Sequence, residues 1–172
     1  MSNEIHISGR AIIIGIVVLV SLLLIQRSKT PTDKEGFPVV QYQEGNPVMN
    51  EAIEHARNTL NEFIEDLGEN EPSRELFGVK MKVEGAFGNA YVWLIDVSHD
   101  DGIFEGTLVN TPRNTRTISA GEILRVPSEK VVDWSYVENG KLVGGYTMRV
   151  MYDSMPRSEQ DALEEKLGFS FN

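Results

Sequence analysis

Cysteine is absent from this chain of 172 residues, which excludes a disulfide framework, thiolate metal sites and a cysteine nucleophile. Histidine is nearly so: His6, His55 and His99 form neither an H-x-x-x-H nor an H-E-x-x-H pattern, so no metal is expected. Basic side chains are outnumbered, 16 against 26 acidic, giving a formal net charge of -10. Binding a phosphate backbone needs clustered Lys and Arg, so nucleic acid is not an expected partner, and the acidity reads as solubility. The sequence also lacks a Gly-x-Ser-x-Gly elbow, a phosphate-binding glycine loop before a Lys and a dinucleotide fingerprint. No catalytic residue and no cofactor is therefore assigned.

Long apolar runs are limited to one, residues 11–25, interrupted only by Gly15 and Ser21. As a helix it spans about 22 Å, short of the ~30 Å hydrocarbon core, but Arg10 and Arg27 at its ends can snorkel and lengthen the span. A cleaved signal peptide is the rival reading. It lacks small residues at the cleavage spacing, and basic residues follow at once, which favours a retained single-pass transmembrane helix with the bilayer as partner. Arg10 precedes the run; Arg27, Lys29 and Lys34 follow it, a bias that leans toward a cytoplasmic domain. Residues 30–46 hold Pro31, Pro38, Gly36 and Gly45 and read as a linker, with 37–42 either a short strand or an edge-packing segment. The expected organisation is a tail and anchor over 1–29, a linker over 30–46 and a folded domain over 47–172.

Within the domain, apolar residues at Met49, Ile53, Ala56, Leu60, Phe63, Ile64 and Leu67 have helical spacing and predict one amphipathic helix over 48–67. Asn46 before Pro47 supplies an N-cap and a first-turn proline, and Gly68 a stop. The acidic opposite face, Glu51, Glu54, Glu62, Glu65 and Asp66, reads as solvated, and His55 as a boundary residue. Runs 76–86, 91–97, 103–110 and 123–126 predict strands, separated by Gly88-Asn89 and Asp100-Asp101-Gly102. Ser158 is placed to cap a helix over 159–166 that Gly168 ends.

Residues 131–149 carry the strongest local signal. Two β-prone runs flank Asn139-Gly140, the signature of a two-residue hairpin turn with positive φ. That turn sets Glu138 against Lys141, Val137 against Leu142, Tyr136 against Val143 and Trp134 against Gly145. An aromatic ring across from a strand glycine covers bare backbone. Gly144-Gly145 could instead leave room for a ligand or a partner's backbone. Together these elements predict an α+β domain: an N-terminal amphipathic helix packed on an antiparallel sheet of about five to six strands, then a short C-terminal helix, preceded by one transmembrane helix.

Two clusters hold residue types that can carry chemistry. Asp96, His99, Asp100, Asp101 and Glu105 straddle one turn, but their spacing lacks a D-x-D-x-D-G frame, so a polar hairpin tip is the preferred reading. Asp133 beside Trp134 could be a carboxyl with a raised pKa in an apolar setting; more often such an Asp caps a turn or accepts from a backbone amide.

Read as a set, Ala56-Arg57 with Leu60 and Phe63, Phe77-Gly78-Val79-Lys80, Trp93 with Asp96-Val97, Gly102 and Phe104 with Gly106, Asn110 with Pro112, Gly121-Glu122, Asp133-Trp134 with Tyr136, and Gly144-Gly145-Tyr146-Thr147 with Arg149 resemble the YegJ-like bacterial family, a small domain of unknown function. The resemblance covers about residues 49–171 and implies no assigned activity, cofactor or catalytic residue. The acid that the family commonly carries three positions before the sheet Trp is Ala90 here, which weakens an enzymatic reading. Relatives with export signals lean toward a periplasmic domain. Two functions are expected as alternatives. One is a membrane-anchored, non-catalytic binding module with a protein or peptide partner, in an immunity or envelope setting, with Asp133, Trp134, Tyr136, Gly144, Gly145, Tyr146 and Arg149 as its signature. The other is an enzyme of unknown class with an acid/base site around Asp133, Tyr136 and Arg149.

Overall fold

The computed structural model describes residues 46–172 except 70, 86–87, 110 and 112–117. The expected anchor over 11–25 and the expected linker over 30–46, Asn46 excepted, lie outside the described residues. Among the described residues no helix is long and apolar enough to cross a membrane.

The chain enters through helix α1, Pro47–Asn58, where the Asn46 side chain accepts from the Met49 N–H at 3.2 Å and Pro47 occupies the first turn. We expect Asn46→Ala to lower stability by about 1 kcal/mol, the usual worth of such a cap, read as a shift in the urea midpoint; no shift would mean that the cap is redundant.

The single helix expected over 48–67 is broken at Thr59 into α1 and α2, Leu60–Gly68. Thr59 donates its hydroxyl to the His55 carbonyl at 2.9 Å, a back-bond that bends helices. The break leaves the apolar stripe intact: Ala56, Leu60 and Phe63 are all buried on one side.

Six strands form one antiparallel sheet in the order β4-β3-β2-β1-β5-β6. They are β1 Arg74–Gly85, β2 Gly88–Asp100, β3 Ile103–Leu108, β4 Ile123–Pro127, β5 Val131–Glu138 and β6 Lys141–Gly144. Gly88 and Asn89, expected in a turn, are paired within β2. The Asp101-Gly102 and Asn139-Gly140 turns both adopt positive φ, as two-residue hairpins of the primed type require. Bulges interrupt β1 between Glu75 and Gly78 and β2 between Ile95 and Ser98, where Leu76 and Asp96 take positive φ.

Hairpin register follows the expectation at Glu138, Val137 and Tyr136. Beyond it the chain departs. The strand expected to run on toward Arg149 stops at Gly144, and α3, Tyr146–Asp153, begins. Gly144 and Gly145 have φ of 68° and 63°, a left-handed pair that turns the chain off the ladder. The last helix, α4, covers Arg157–Leu167; it opens one residue before the expected Ser158 cap, after Pro156, and ends at Gly168 with φ 76°.

Each sheet face carries its own core. On one face α1 and α2 bury Ala56, Leu60 and Phe63 against Val79, Leu94, Phe104, Val126 and Trp134. Behind β5 and β6, the other core gathers Val137, Leu142, Tyr152, Leu163, Leu167, Phe169 and Phe171.

Candidate functional site

Alternation along β5 sends its signature residues to opposite faces. Trp134 and Tyr136 join the helix-covered core, where the Trp134 ring stacks on Phe63 with centroids 5.1 Å apart and its Nε1 donates to the Ala56 carbonyl at 2.9 Å. Tyr136 donates its hydroxyl to Asp66 Oδ2 at 2.8 Å. Burial and that bond to a carboxylate both hold the phenol far above its ordinary range. Asp66 also receives Arg74 Nη1 at 2.8 Å, and Arg74 reaches Glu69 and Glu138 at 2.7 Å each. Glu138 faces Lys141 in the register, yet its carboxylate bonds Arg74 on β1.

Asp133 lies on the reverse face, fully buried, directly opposite Lys80 of β1. Its Oδ1 accepts from the Trp134 and Tyr146 amides at 2.9 and 3.1 Å; its Oδ2 accepts from the Thr147 amide at 2.8 Å and the Thr147 hydroxyl at 2.5 Å. Lys80 Nζ donates to the same hydroxyl at 2.9 Å, and both Lys80 and Thr147 are buried. The Lys80 ammonium also stands 5.7 Å from the Trp93 ring centre and 5.9 Å from that of Tyr91. The Asp133 carboxylate thus caps α3 from a neighbouring strand, because the helix is preceded by Gly145, which has no side chain to do so. A carboxylate at the positive end of a helix and facing an ammonium is electrostatically well placed.

Burial pushes the Asp133 carboxyl above the ordinary 3.8, while Lys80 and the Thr147 and Trp134 donors pull it back. Glu164 is shifted oppositely: the Phe171 amide and the Tyr152 hydroxyl bond its carboxylate and hold it below the ordinary 4.5. The two have opposite linkage. For Asp133 the folded chain binds the proton better, so its contribution is greatest below pH 3.8 and falls as pH rises to the folded value. Glu164 stabilises above pH 4.5, and its contribution disappears as pH falls through the folded value. We expect Asp133→Asn to flatten the falling limb and Glu164→Gln the acid limb of the urea midpoint measured from about pH 3 to 8. Two profiles parallel to that of the parent would refute both assignments.

Arg149 serves neither group. Its Nε donates to the Gly144 carbonyl at 2.8 Å, Nη2 to that of Leu142 at 2.6 Å, and Nη1 to that of Phe171. The three residues of the expected acid/base site are therefore not gathered into one place: Tyr136 faces Asp66, Asp133 faces Lys80 and Thr147, and Arg149 clasps carbonyls behind β6. Tyr146 packs edge-on against the rings of Trp134 (centroids 5.6 Å) and His55 (4.5 Å), at the junction of α1 and α3.

Gly144 is fixed by packing. A Cβ built there would lie 2.5 Å from Cε3 and Cζ3 of the Trp134 ring and closer still to the Trp134 carbonyl oxygen. The ring thus covers Gly144, one residue earlier than the register expectation placed it, while the Gly145 amide donates to the Trp134 carbonyl at 2.7 Å.

The acidic turn does not converge either. Asp96 sits at the exposed bulge, His99 Nε2 lies 3.2 Å from Ser128 Oγ, and Glu105 is 3.9 Å from Arg125. Among the described residues no group of three or more His, Asp or Glu is arranged to hold a metal ion.

Sequence reasoning missed Lys80 and Thr147 as members of the buried network. Lys80 sits in an alternating strand where a Lys reads as solvent-facing, and only the non-sequential β1–β5 pairing brings it to Asp133.

Comparison with known proteins adds a family. The model of a family described as an uncharacterized protein conserved in bacteria (DUF2314) matches residues 46–171. The uncharacterized protein YegJ of Escherichia coli K12 is 32% identical over 119 residues, covering 69% of this chain and 76% of that protein. A putative ankyrin repeat protein of Neisseria meningitidis serogroup B is 27% identical, covering 79% of this chain and 57% of its own length. No solved structure matches.

Proposed function

We propose that this chain, which belongs to the DUF2314 family of bacterial proteins and is matched from residue 46 to 171, is a non-catalytic binding module, held at a membrane by a helix over residues 11–25. One observation carries the non-catalytic part: the polar signature residues Asp133, Tyr136 and Arg149 are engaged in separate internal hydrogen bonds. A general acid or base must reach a substrate proton at hydrogen-bonding distance; a fully buried carboxylate already accepting from four donors does not.

The apolar run 11–25 with its flanking arginines supports the anchor. The excess of Lys and Arg after the run supports a cytoplasmic domain.

The test uses the full chain. It should stay with membranes after alkaline carbonate washing, and a deletion of 11–25 should move to the supernatant. Crosslinking in membranes followed by affinity recovery should bring down a second protein species reproducibly. A full chain released by carbonate sinks the anchor; recovery of the bait alone sinks the binding role.

A further inference from the structure

The outer edge of β6 is covered by residues 169–171. The Leu142 amide donates to the Ser170 carbonyl at 2.8 Å and the Ser170 amide to the Gly140 carbonyl at 2.9 Å, with Ser170 bridged to Lys141 in parallel. Side chains hold the same segment: Glu164 accepts from the Phe171 amide at 2.8 Å, Arg149 donates to the Phe171 carbonyl, and the Phe171 ring stacks on Tyr152 with centroids 4.2 Å apart and planes within 3°. Phe169 and Phe171 are buried beside Leu142 and Leu163. The groove behind β6 therefore has a known occupant, an aromatic–small–aromatic strand.

The segment follows directly on Gly168, the left-handed residue that ends α4 with φ 76°. Every bond above is made to residues 140–164, across that hinge. A second copy offering its own Phe169-Ser170-Phe171 would make the identical set of bonds, and only the hinge conformation would differ. Glycine takes left-handed, extended and helical backbone with little preference, so the hinge discriminates weakly between closed and exchanged forms.

We propose that residues 169–171 are an exchangeable strap, and that the surface they cover is a self-association surface whose partner is the same strap of a second copy. The reading is independent of membrane attachment and of any third-party partner.

Because the parent chain has no cysteine, introduced thiols report unambiguously. Full-length Lys141→Cys is mixed with full-length Ser170→Cys in detergent under mild oxidant. Each carries one thiol, so a disulfide between the two variants arises only across copies. From an equimolar mixture, exchange predicts a mixed dimer that exceeds the two self-dimers taken together, the share random collision would give, and that grows with protein concentration. Introducing Gly168→Ala into both chains should raise it about tenfold, since a side chain at left-handed φ disfavours the closed hinge. No atom outside the local backbone lies within 4 Å of a Cβ at this position, so the backbone conformation is the whole of the penalty. Near-ultraviolet circular dichroism of Trp93 and Trp134, both outside the strap core, checks that the variants are folded. A mixed dimer no more abundant than the two self-dimers together, with and without Gly168→Ala, overturns the proposal.

Discussion

Asp133→Ala is expected to destabilise the protein by about 3–5 kcal/mol, the cost of removing one partner from a buried charged pair. Two losses combine. The buried Lys80 ammonium, 5% exposed, loses the carboxylate opposite it, and the amides of Tyr146 and Thr147 lose their acceptor at the start of α3. The contributions can be separated. Asp133→Asn keeps an acceptor oxygen but not the charge and should fall between parent and Ala. Lys80→Met combined with Asp133→Leu removes both charges and should recover part of the loss, because desolvated ion pairs are often replaceable by apolar residues of similar volume. Urea unfolding followed by tryptophan fluorescence measures all four chains. An Asp133→Ala variant within 1 kcal/mol of the parent would mean that Lys80 finds another anion and that the cap is dispensable; that threshold is the upper end of what an exposed pair contributes.

Gly144→Ala is expected to lower stability by about 2–5 kcal/mol, from a left-handed backbone penalty of about 1–2 kcal/mol and an overpacking penalty of about 1–3 kcal/mol. The second term comes from the Trp134 ring and carbonyl, which lie inside the space a Cβ would take. Neighbouring glycines provide the control. At Gly145 a Cβ would come to 2.8 Å of Leu142 Cδ2, the flexible end of a side chain, and at Gly140 it would meet nothing within 4 Å, though both carry positive φ. Loss of stability should therefore rank Gly144→Ala above Gly145→Ala above Gly140→Ala. Equal losses at 144 and 140 would show that backbone conformation alone, not contact with Trp134, fixes the glycine. If Gly144-Gly145 were a ligand gap, both changes would cost only the backbone penalty of about 1–2 kcal/mol.

Local signals carried much of the fold. Asn139-Gly140 specified its turn and with it the β5–β6 register, and Asn46-Pro47 marked the start of α1. The stripe Ala56, Leu60 and Phe63 identified the buried helix face, although Thr59 gave no warning of the break, since its effect comes from its own hydroxyl bonding backward. Helix α3 was illegible for a different reason. Its sequence, YTMRVMYD, is rich in β-prone residues, and it becomes helical because Gly144-Gly145 reverse the chain and Asp133 caps it from another strand. The site followed the same division. Asp133 was recognisable as a candidate capping residue, but its partners Lys80 and Thr147 lie 53 positions before it and 14 after it in sequence. No short-range pattern encodes that meeting. Leu76, at a bulge with φ 60°, carries none of the glycine or asparagine cues that usually announce one.

Strand order has a kinetic consequence. Strands β1 to β4 form a meander of neighbours, and β5–β6 a tight hairpin; β1–β2, β2–β3 and β5–β6 can close quickly through two-residue connections, while β3 reaches β4 across 14 residues. The seam between them, β1 against β5, joins segments separated by about 45 residues, so its loop-closure entropy is lost before any of its contacts are gained. Substitutions confined to the early-closing β5–β6 turn should therefore act mainly on the folding rate, and those along the seam, Val79 and Trp134 among them, whose contacts form after closure, on the unfolding rate. During synthesis the meander is complete while one side of β1 still lacks its neighbour, and that open edge persists until Glu138 has left the ribosome.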